Sequence, residues 1–76
     1  MPRLEKAIAG VLAVDPEQLT DADGPGSIET WDSLNHVMLA GVLEEEFGVT
    51  MSADDLMSAS TVGDFRRILR AKGCDV

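Results

Sequence analysis

The chain has 76 residues, a single cysteine and a formal net charge of -8 at pH 7. That length makes one small domain with a modest core, which argues against a deep enzyme pocket, and one cysteine excludes an internal disulfide. The acidic charge disfavours nucleic acid and anionic lipid as partners.

The first predicted helix covers about residues 2–14. Its apolar residues recur at the spacing of one helix face and are Leu4, Ile8, Val11 and Leu12. Pro2 suits the first turn, whereas Pro16 cannot continue the helix. Gly10 weakens the helix relative to alanine, so the segment either depends on tertiary packing or uses the glycine for a close approach.

A long loop follows from Asp15 to Trp31, because this segment is rich in Asp, Gly and Pro. Leu19 and Ile28 are its expected apolar anchors. We expect Trp31, directly before the next helix, to fix the loop to the helix start, with contact to a bound group as the alternative.

The second predicted helix runs from Ser33 to Phe47. Asp32 is a good N-cap for it, and Gly48 suits a left-handed residue at its end. Its apolar residues occupy more than one stripe: Leu34, Val37, Leu39, Val42, Leu43 and Phe47. This breadth indicates either several neighbours in the fold or an apolar surface kept for a partner.

Two capping-box patterns, with Asp in place of the usual Glu or Gln, predict two more helices. The first pattern opens a short helix of about residues 53–57, and the second opens a helix of about residues 62–72 that Gly73 ends. The inward residues of the last helix are Val62, Phe65, Ile68 and Leu69. The predicted fold is all-α: a small four-helix bundle of three longer helices and one short helix, with a long first loop.

The whole chain, residues 1–76, is predicted to be a single domain. Its ordered core covers about residues 3–72, and residues 73–76 form a flexible tail with Cys74 as an exposed thiol.

Ser33 lies in the first turn of the second helix, where its hydroxyl projects outward. A phosphate on that hydroxyl would lie beside unpaired N–H groups and the positive end of the helix dipole. A catalytic serine needs a general base, and the single histidine, His36, is three residues along the same helix. The position therefore favours phosphate attachment over catalysis, although by position alone an ordinary exposed serine is the first interpretation.

Charge is unevenly distributed, since no Lys or Arg occurs from Ala7 through Phe65. Glu44, Glu45 and Glu46 lie near the negative end of the second helix, an unfavourable place for acids, which indicates either a further role or a solvated face. An acidic surface of this kind would steer association with basic protein surfaces, unless it serves solubility alone.

Residues 21–32 partly match an EF-hand calcium loop, through Asp21, Asp23, Gly26, Ile28, Glu29 and Asp32. The match is incomplete because Pro25 offers no side-chain oxygen, the last ligand is Asp rather than Glu, and Pro16 breaks the incoming helix. Calcium binding is kept as an alternative to a solvated acidic loop.

The order of these features resembles the acyl carrier proteins over about residues 3–72. The shared features are a helix, a long acidic loop, Asp-Ser-Leu opening an apolar second helix, Leu-Glu-Glu-Glu-Phe-Gly ending it, a short helix, and Thr-Val-Gly-Asp opening the last one. Asp-Ser-Leu alone is a weak signal, but its spacing from the other motifs makes the combination specific.

The resemblance implies that Ser33 carries 4′-phosphopantetheine, with Asp32 and Leu34 as the adjoining residues of the motif. A separate phosphopantetheinyl transferase would transfer the group from coenzyme A, so the serine needs no base of its own. The arm would carry acyl groups as thioesters to partner enzymes, and the protein would be a carrier rather than an enzyme.

The implied partners are acyl-loading and acyl-transfer or condensing enzymes with basic docking patches. The candidate docking residues lie on the second helix and are Leu34, His36, Met38, Glu44 and Glu45. For His36 the alternative is an ordinary exposed histidine, and for Met38 it is core filling or incidental exposure.

Three residues depart from the acidic pattern that follows Ser-Leu in many carriers of fatty acid synthesis: Asn35, His36 and Met38. They favour a discrete carrier of a polyketide or other secondary pathway, with a short polar acyl unit as one candidate cargo. The absence of Gly-Gly before the serine argues against a peptidyl carrier. The alternative from another class is a non-carrier acidic helical module that binds a protein through its second helix.

The sequence also bears on location. No apolar run approaches the roughly 20 residues that span a membrane. Residues 1–5 lack the charged-then-apolar start of a signal peptide. We therefore expect a cytoplasmic protein. As a separate expectation, the protein is a monomer.

Overall fold

The computed structural model describes residues 3–76, and within them the regular elements are all helical. The helices are α1 (Arg3–Leu12), α2 (Ser33–Phe47), α3 (Ala53–Ser58) and α4 (Val62–Ala71), and a 3-10 turn at Pro16–Gln18 lies within the first loop. The prediction of a small all-α bundle with three longer helices, one short helix and a long first loop is confirmed. Pro2, expected in the first turn of α1, lies outside the described residues.

α1 ends at Leu12, two residues earlier than expected. Ala13 has a φ of 59°, and the Val14 N–H donates to the Ala9 carbonyl at 3.2 Å, which closes the helix with a left-handed cap before Pro16 is reached. Gly10 is exposed and has open space around it, so it serves no close approach. The helix depends instead on tertiary packing.

The first loop is joined to the start of α4 by its backbone. The N–H groups of the first two residues of α4 donate to the carbonyls of Asp21 and Asp23, both at 3.0 Å, and so find partners outside the helix. Gly24 is required at this junction, because a β-carbon on it would lie 2.3 Å from the carbonyl oxygen of Ser60. The loop is thus held in place along its length rather than only at its ends.

α2 has the predicted bounds and caps. Asp32 accepts a hydrogen bond from the Asn35 N–H at 2.8 Å, and Gly48 ends the helix with a φ of 67°. The broad apolar surface divides into two faces. An inward face is buried and comprises Leu39, Ala40 and Leu43, whereas an outward face is exposed and comprises Leu34, Val37 and Met38.

The two capping patterns both form, but differently. Ser52 and Asp55 make the full reciprocal box, with side-chain to N–H distances of 3.1 and 3.0 Å. Thr61 accepts from the Asp64 N–H at 3.1 Å, but the Asp64 carboxylate accepts from the Ser60 N–H at 2.9 Å instead of from the cap residue. The second box is therefore shifted by one residue.

The core is formed by apolar side chains of α1, α2 and α4, together with Trp31 at the end of the first loop and Ala59 after α3. Leu19 and Ile28 are half-buried against it, as expected of loop anchors. The fully buried members are Leu4, Ile8, Leu12, Leu39, Leu43, Val62, Phe65 and Leu69.

Arg66 joins three elements. Its guanidinium pairs with Glu5 of α1 and, at 3.1 Å, with Asp21 of the loop, and its side chain is only 14% exposed. Partial burial disfavours its charge, but the two carboxylates outweigh this cost and raise the pKa of Arg66.

The chain end folds back on the bundle. Gly73 has a φ of 92°, and the Cys74 N–H donates to the Leu69 carbonyl at 3.0 Å. Cys74 and Val76 pack against the core, and the Val76 carbonyl accepts from Arg70 Nε at 2.7 Å. The expectation of an exposed thiol at Cys74 is wrong, because the left-handed glycine turns the tail toward apolar side chains.

Candidate functional site

Ser33 is the first residue of α2, and it is exposed. Asp32 before it is extended, so the chain enters the helix abruptly, and its carboxylate is engaged with the Asn35 N–H. The side-chain amide of Asn35 in turn donates to the Thr30 carbonyl at 2.7 Å. Thr30 donates from its hydroxyl to the Leu12 carbonyl at 2.6 Å, so a run of hydrogen bonds fixes the serine turn to the end of α1.

The first turn of α2 keeps free donors next to the serine hydroxyl. The Asn35 and His36 N–H groups donate to Asp32, whereas those of Ser33 and Leu34 have no partner among residues 3–76. Free N–H groups at the positive end of a helix favour an anion. The residues present therefore fit a phosphate on the Ser33 hydroxyl.

His36 cannot act as a base for Ser33. The Trp31 indole N–H donates to His36 Nδ1 at 3.0 Å, and His36 Nε2 lies 2.9 Å from the Leu56 carbonyl oxygen. With Nδ1 accepting, Nε2 must carry the proton and donate. Both ring nitrogens are thus occupied within the chain, which supports the view that the serine does not act as a nucleophile in catalysis by this chain.

The expectation of an exposed His36 is wrong. The residue is half-buried, because it turns its ring toward Trp31 and Phe65 rather than toward solvent. Trp31 is 2% exposed and lies between the loop and the helix start, so the expectation that it fixes the two together is confirmed. The sequence signal for this pair was the five-residue spacing, which places Trp31 just outside the helix and His36 on its first turn.

Ser33 lines a groove of about 580 Å³, here called the serine groove. Its other walls come from the first loop, the start of α2 and the α3 region, and include Pro25, Val37, Leu56, Met57 and Ala59. Val37 is 57% exposed and Met57 83% exposed, so the groove opens directly to solvent. An exposed apolar groove beside an attachment point can shelter an apolar group.

The predicted docking residues differ in how accessible they are. Leu34 and Met38 are 69% and 49% exposed, and Glu45 is exposed. Glu44 is half-buried, and its carboxylate accepts from the Met51 N–H at 2.6 Å. Glu44 therefore fixes the loop after α2, which is a structural reason for an acid at the negative end of that helix.

Glu46 also has a structural partner, since Arg3 of α1 pairs with it at 3.2 Å. The Arg3 guanidinium lies 4.7 Å from the centre of the Phe47 ring, a cation–π contact. Of the three glutamates, only Glu45 has a side chain that makes no hydrogen bond or ion pair with residues 3–76.

Sequence reasoning missed two exposed apolar residues of this site. The apolar pattern of α2 includes Val37 but does not assign it to the inward or the outward face. Met57 of α3 is absent from the residues that the sequence analysis identifies. The spacing of Leu34, Val37 and Met38, three and four residues apart, is the signal that could have placed them on one face. Met57 carries no such signal, because α3 is too short to show a period.

Three carboxylates of the partial calcium-loop match, residues 21–32, each bind a different partner within the chain. Asp21 pairs with Arg66, Asp32 caps α2, and Asp23 accepts from the Thr20 N–H at 2.8 Å and from the Ser27 hydroxyl at 2.9 Å. These bonds, the backbone one first, lower the pKa of Asp23. Within residues 3–76, no three acidic, histidine or cysteine side chains come together in a way that could hold a metal ion.

Residues 2–69 match the family model described as a phosphopantetheine attachment site. This match covers most of the 76-residue chain, and the chain belongs to that family. It is a phosphopantetheine-bearing carrier domain, whose prosthetic group is the covalently attached 4′-phosphopantetheine. Among residues 3–76, no helix has the length and apolar character needed to cross a bilayer.

Proposed function

We propose that Ser33 is the attachment residue and that the chain is an acyl carrier protein, which tethers acyl groups as thioesters and presents them to partner enzymes. The observation that carries this proposal is the exposed hydroxyl of Ser33 beside two unpartnered N–H groups at the start of α2. Membership of the carrier family supplies the prosthetic group, and the geometry supports this serine as its site.

The attachment step needs nothing from this chain except an accessible hydroxyl. The Ser33 oxygen forms a bond to the β-phosphorus of coenzyme A, the pyrophosphate bond breaks, and 3′,5′-ADP leaves. A phosphopantetheinyl transferase accepts the serine proton. The engagement of both His36 nitrogens agrees with this division of labour, since the single histidine is not free to act as a base for the serine.

When attached, the arm supplies a terminal thiol that carries the acyl group. Asp32 and Leu34 would flank its phosphate, and one oxygen of the Asp32 carboxylate is already engaged by the Asn35 N–H. The bundle contributes a fixed attachment point, and the tether raises the local concentration of cargo at each partner.

We propose that partners dock on the outward face of α2. The apolar side chains of Leu34, Val37 and Met38 are exposed there. Glu45 lies on the same helix, and its side chain has no partner among residues 3–76. Since α2 and α3 carry no Lys or Arg, a basic patch around a partner's active site would be attracted to this surface. Glu44 and His36 are weaker candidates, because one Glu44 carboxylate oxygen and both His36 ring nitrogens are engaged within the chain.

A role in a polyketide or other secondary pathway is also a proposal. It rests on Asn35, His36 and Met38 in place of the acidic residues that follow Ser-Leu in many carriers of fatty acid synthesis. Two of these residues also make hydrogen bonds within the chain: Asn35 donates to the Thr30 carbonyl, and His36 accepts from the Trp31 indole. Mass analysis of the protein isolated from its native host would identify the cargo and so test the pathway.

The attachment residue is tested by incubating the apo protein with coenzyme A and a permissive phosphopantetheinyl transferase, followed by intact mass measurement. We expect a gain of one phosphopantetheine group in the wild type and in Ser60→Ala, and no gain in Ser33→Ala. Ser60 is the matched control, because it is an exposed serine that lines the same groove. A gain that survives Ser33→Ala, or no gain in the wild type with a competent transferase, would contradict the proposal.

A further inference from the structure

The bundle interior beside Ser33 is filled by three aromatic rings, here called the stack: Trp31 stacks on both His36 and Phe65, and the His36 and Phe65 rings are tilted by 47°. The ring centroids of Trp31 and His36 lie 6.1 Å apart, those of Trp31 and Phe65 6.3 Å, and those of His36 and Phe65 5.5 Å. Trp31 and Phe65 are buried almost completely. Because protein interiors are close-packed, an acyl chain could enter between the start of α2 and α4 only by displacing one of these rings.

Two hydrogen bonds hold the stack closed. His36 accepts from the Trp31 indole at one ring nitrogen and donates to the Leu56 carbonyl at the other. The bond to Leu56 also ties the first turn of α2 to α3, which forms the opposite wall of the serine groove. Moving His36 aside would leave the indole N–H and the carbonyl without their partners, so the closed arrangement is favoured.

The groove outside the stack is open. Its apolar walls include Val37 and Met57, each more than half exposed, and Ala59, which is buried at its base. A group of a few carbons attached through Ser33 can lie against these side chains. The remainder of a long chain would extend past them into water, where further methylene groups gain no burial.

On the premise that Ser33 carries the arm, we propose that His36 closes the bundle interior to the cargo, so that the surface groove alone shelters it and the cargo is a short acyl group. His36 is therefore a specificity-determining residue that acts through its hydrogen bonds to Trp31 and Leu56. The closed stack, and not the composition of the groove, limits the length of the acyl chain.

The test uses the holo protein loaded with acetyl, butyryl, octanoyl or dodecanoyl groups from the corresponding acyl-coenzyme A and a permissive transferase. Intact mass confirms each load, and the melting temperature and the Trp31 indole N–H resonance are then measured. From butyryl to dodecanoyl we expect the melting temperature to change by less than about 2 °C, and the indole resonance to stay in place. A chain that entered the interior would bury each added methylene group and raise the melting temperature by at least about 10 °C.

His36→Ala tests the role of the residue itself. Removing the ring opens space beside Trp31, so the octanoyl form of this variant should melt at a clearly higher temperature than its acetyl form, and the indole resonance should shift. Thr50→Ala is the control, because Thr50 is exposed in the loop that follows α2, lies outside the proposed docking face and does not line the groove. It should behave as the wild type does.

The outcomes separate the two proposals. If the wild type gains no mass, attachment at Ser33 is overturned and the premise with it. If the wild type gains mass and its melting temperature then rises with acyl chain length, only the inference is overturned. A folded His36→Ala protein that shows no dependence on chain length would overturn the assignment to His36. If that variant does not fold, the wild-type series still decides whether the interior is closed.

Discussion

The two faces of α2 have similar side chains and opposite surroundings. The inward face, Leu39, Ala40 and Leu43, is buried, and its two leucines belong to the core that α2 shares with α1 and α4. On the outward face Leu34, Val37 and Met38 are 69%, 57% and 49% exposed. Both are apolar, and both lie on one helix of 15 residues. The difference shows that burial in this protein is set by what packs against the helix and not by the hydrophobicity of the residue.

The same contrast divides stability from recognition. An apolar side chain that leaves water on folding stabilises the bundle, while one that stays in water can stabilise only a complex. Substitutions on the inward face should therefore change the free energy of unfolding, and those on the outward face should change partner kinetics.

The largest expected effect is that of Leu43→Ala. Leu43 is fully buried, so its truncation should lower the free energy of unfolding by about 2–5 kcal/mol. Urea titration followed by circular dichroism measures the loss. Val37→Ala is the control on the outward face, expected within about 0.5 kcal/mol of the wild type but with a raised KM of the transferase for the carrier. Equal losses at the two positions would refute the division of the helix into two faces.

A smaller loss of unfolding free energy is expected from a substitution in the first loop, which brings Trp31 into the core. Gly24→Ala places a β-carbon against the Ser60 carbonyl, and we expect it to cost about 1–3 kcal/mol. Gly26→Ala has open space and should be neutral or slightly stabilising, by up to about 1 kcal/mol. Thermal unfolding compares the pair, and equal melting temperatures of the two variants would show that the junction between Gly24 and Ser60 is not tight.

Glu44 and Glu45 provide a still finer comparison. Glu44→Ala removes the acceptor of the Met51 N–H and should cost about 1–2 kcal/mol. Glu45→Ala should leave stability within about 0.5 kcal/mol, since an exposed acid near the negative end of a helix contributes little to folding. Its effect should instead be a weaker, less salt-dependent association with the transferase. A loss of stability in Glu45→Ala alone would reverse the assignment.

The smallest expected effect is a fall of the melting temperature at acid pH, caused by carboxyl groups in the segments before and after α2. Lys72 and then the Ser52 N–H lower the pKa of Asp55, and the Ser60 N–H lowers that of Asp64. The pKa of Asp23 is lowered in the same way by hydrogen bonds.

The ordinary value for these carboxyls is 3.8, so the unfolded chain binds protons first as the pH falls. Their contribution to stability is complete above that value and is lost as the pH drops through the lowered values of the fold. We expect a flat melting temperature from pH 7 to about 5 and a decline below about 4. Asp55→Asn should reduce the decline, and an unchanged acid profile in that variant would contradict the account.

The sequence predicted α2 closely because its limits are local. Asp32 can cap only the helix that follows it, and Gly48 can take a left-handed conformation that ends the helix. Ser33 was likewise placed by position, as the first residue after a cap. Two of the errors came at Ala13 and Cys74, where a left-handed residue, Ala13 or Gly73, turns the chain by contacts that the sequence pattern does not show.

By itself the sequence determined the helices, their caps, the serine at the start of α2 and the acidic stretch without Lys or Arg, because each follows from neighbours along the chain. Only the tertiary structure decided which apolar face of α2 is buried, because packing partners come from distant segments. It alone brought Trp31, Phe65 and Leu56 to His36, turning a histidine expected in solvent into the residue that closes the interior beside Ser33.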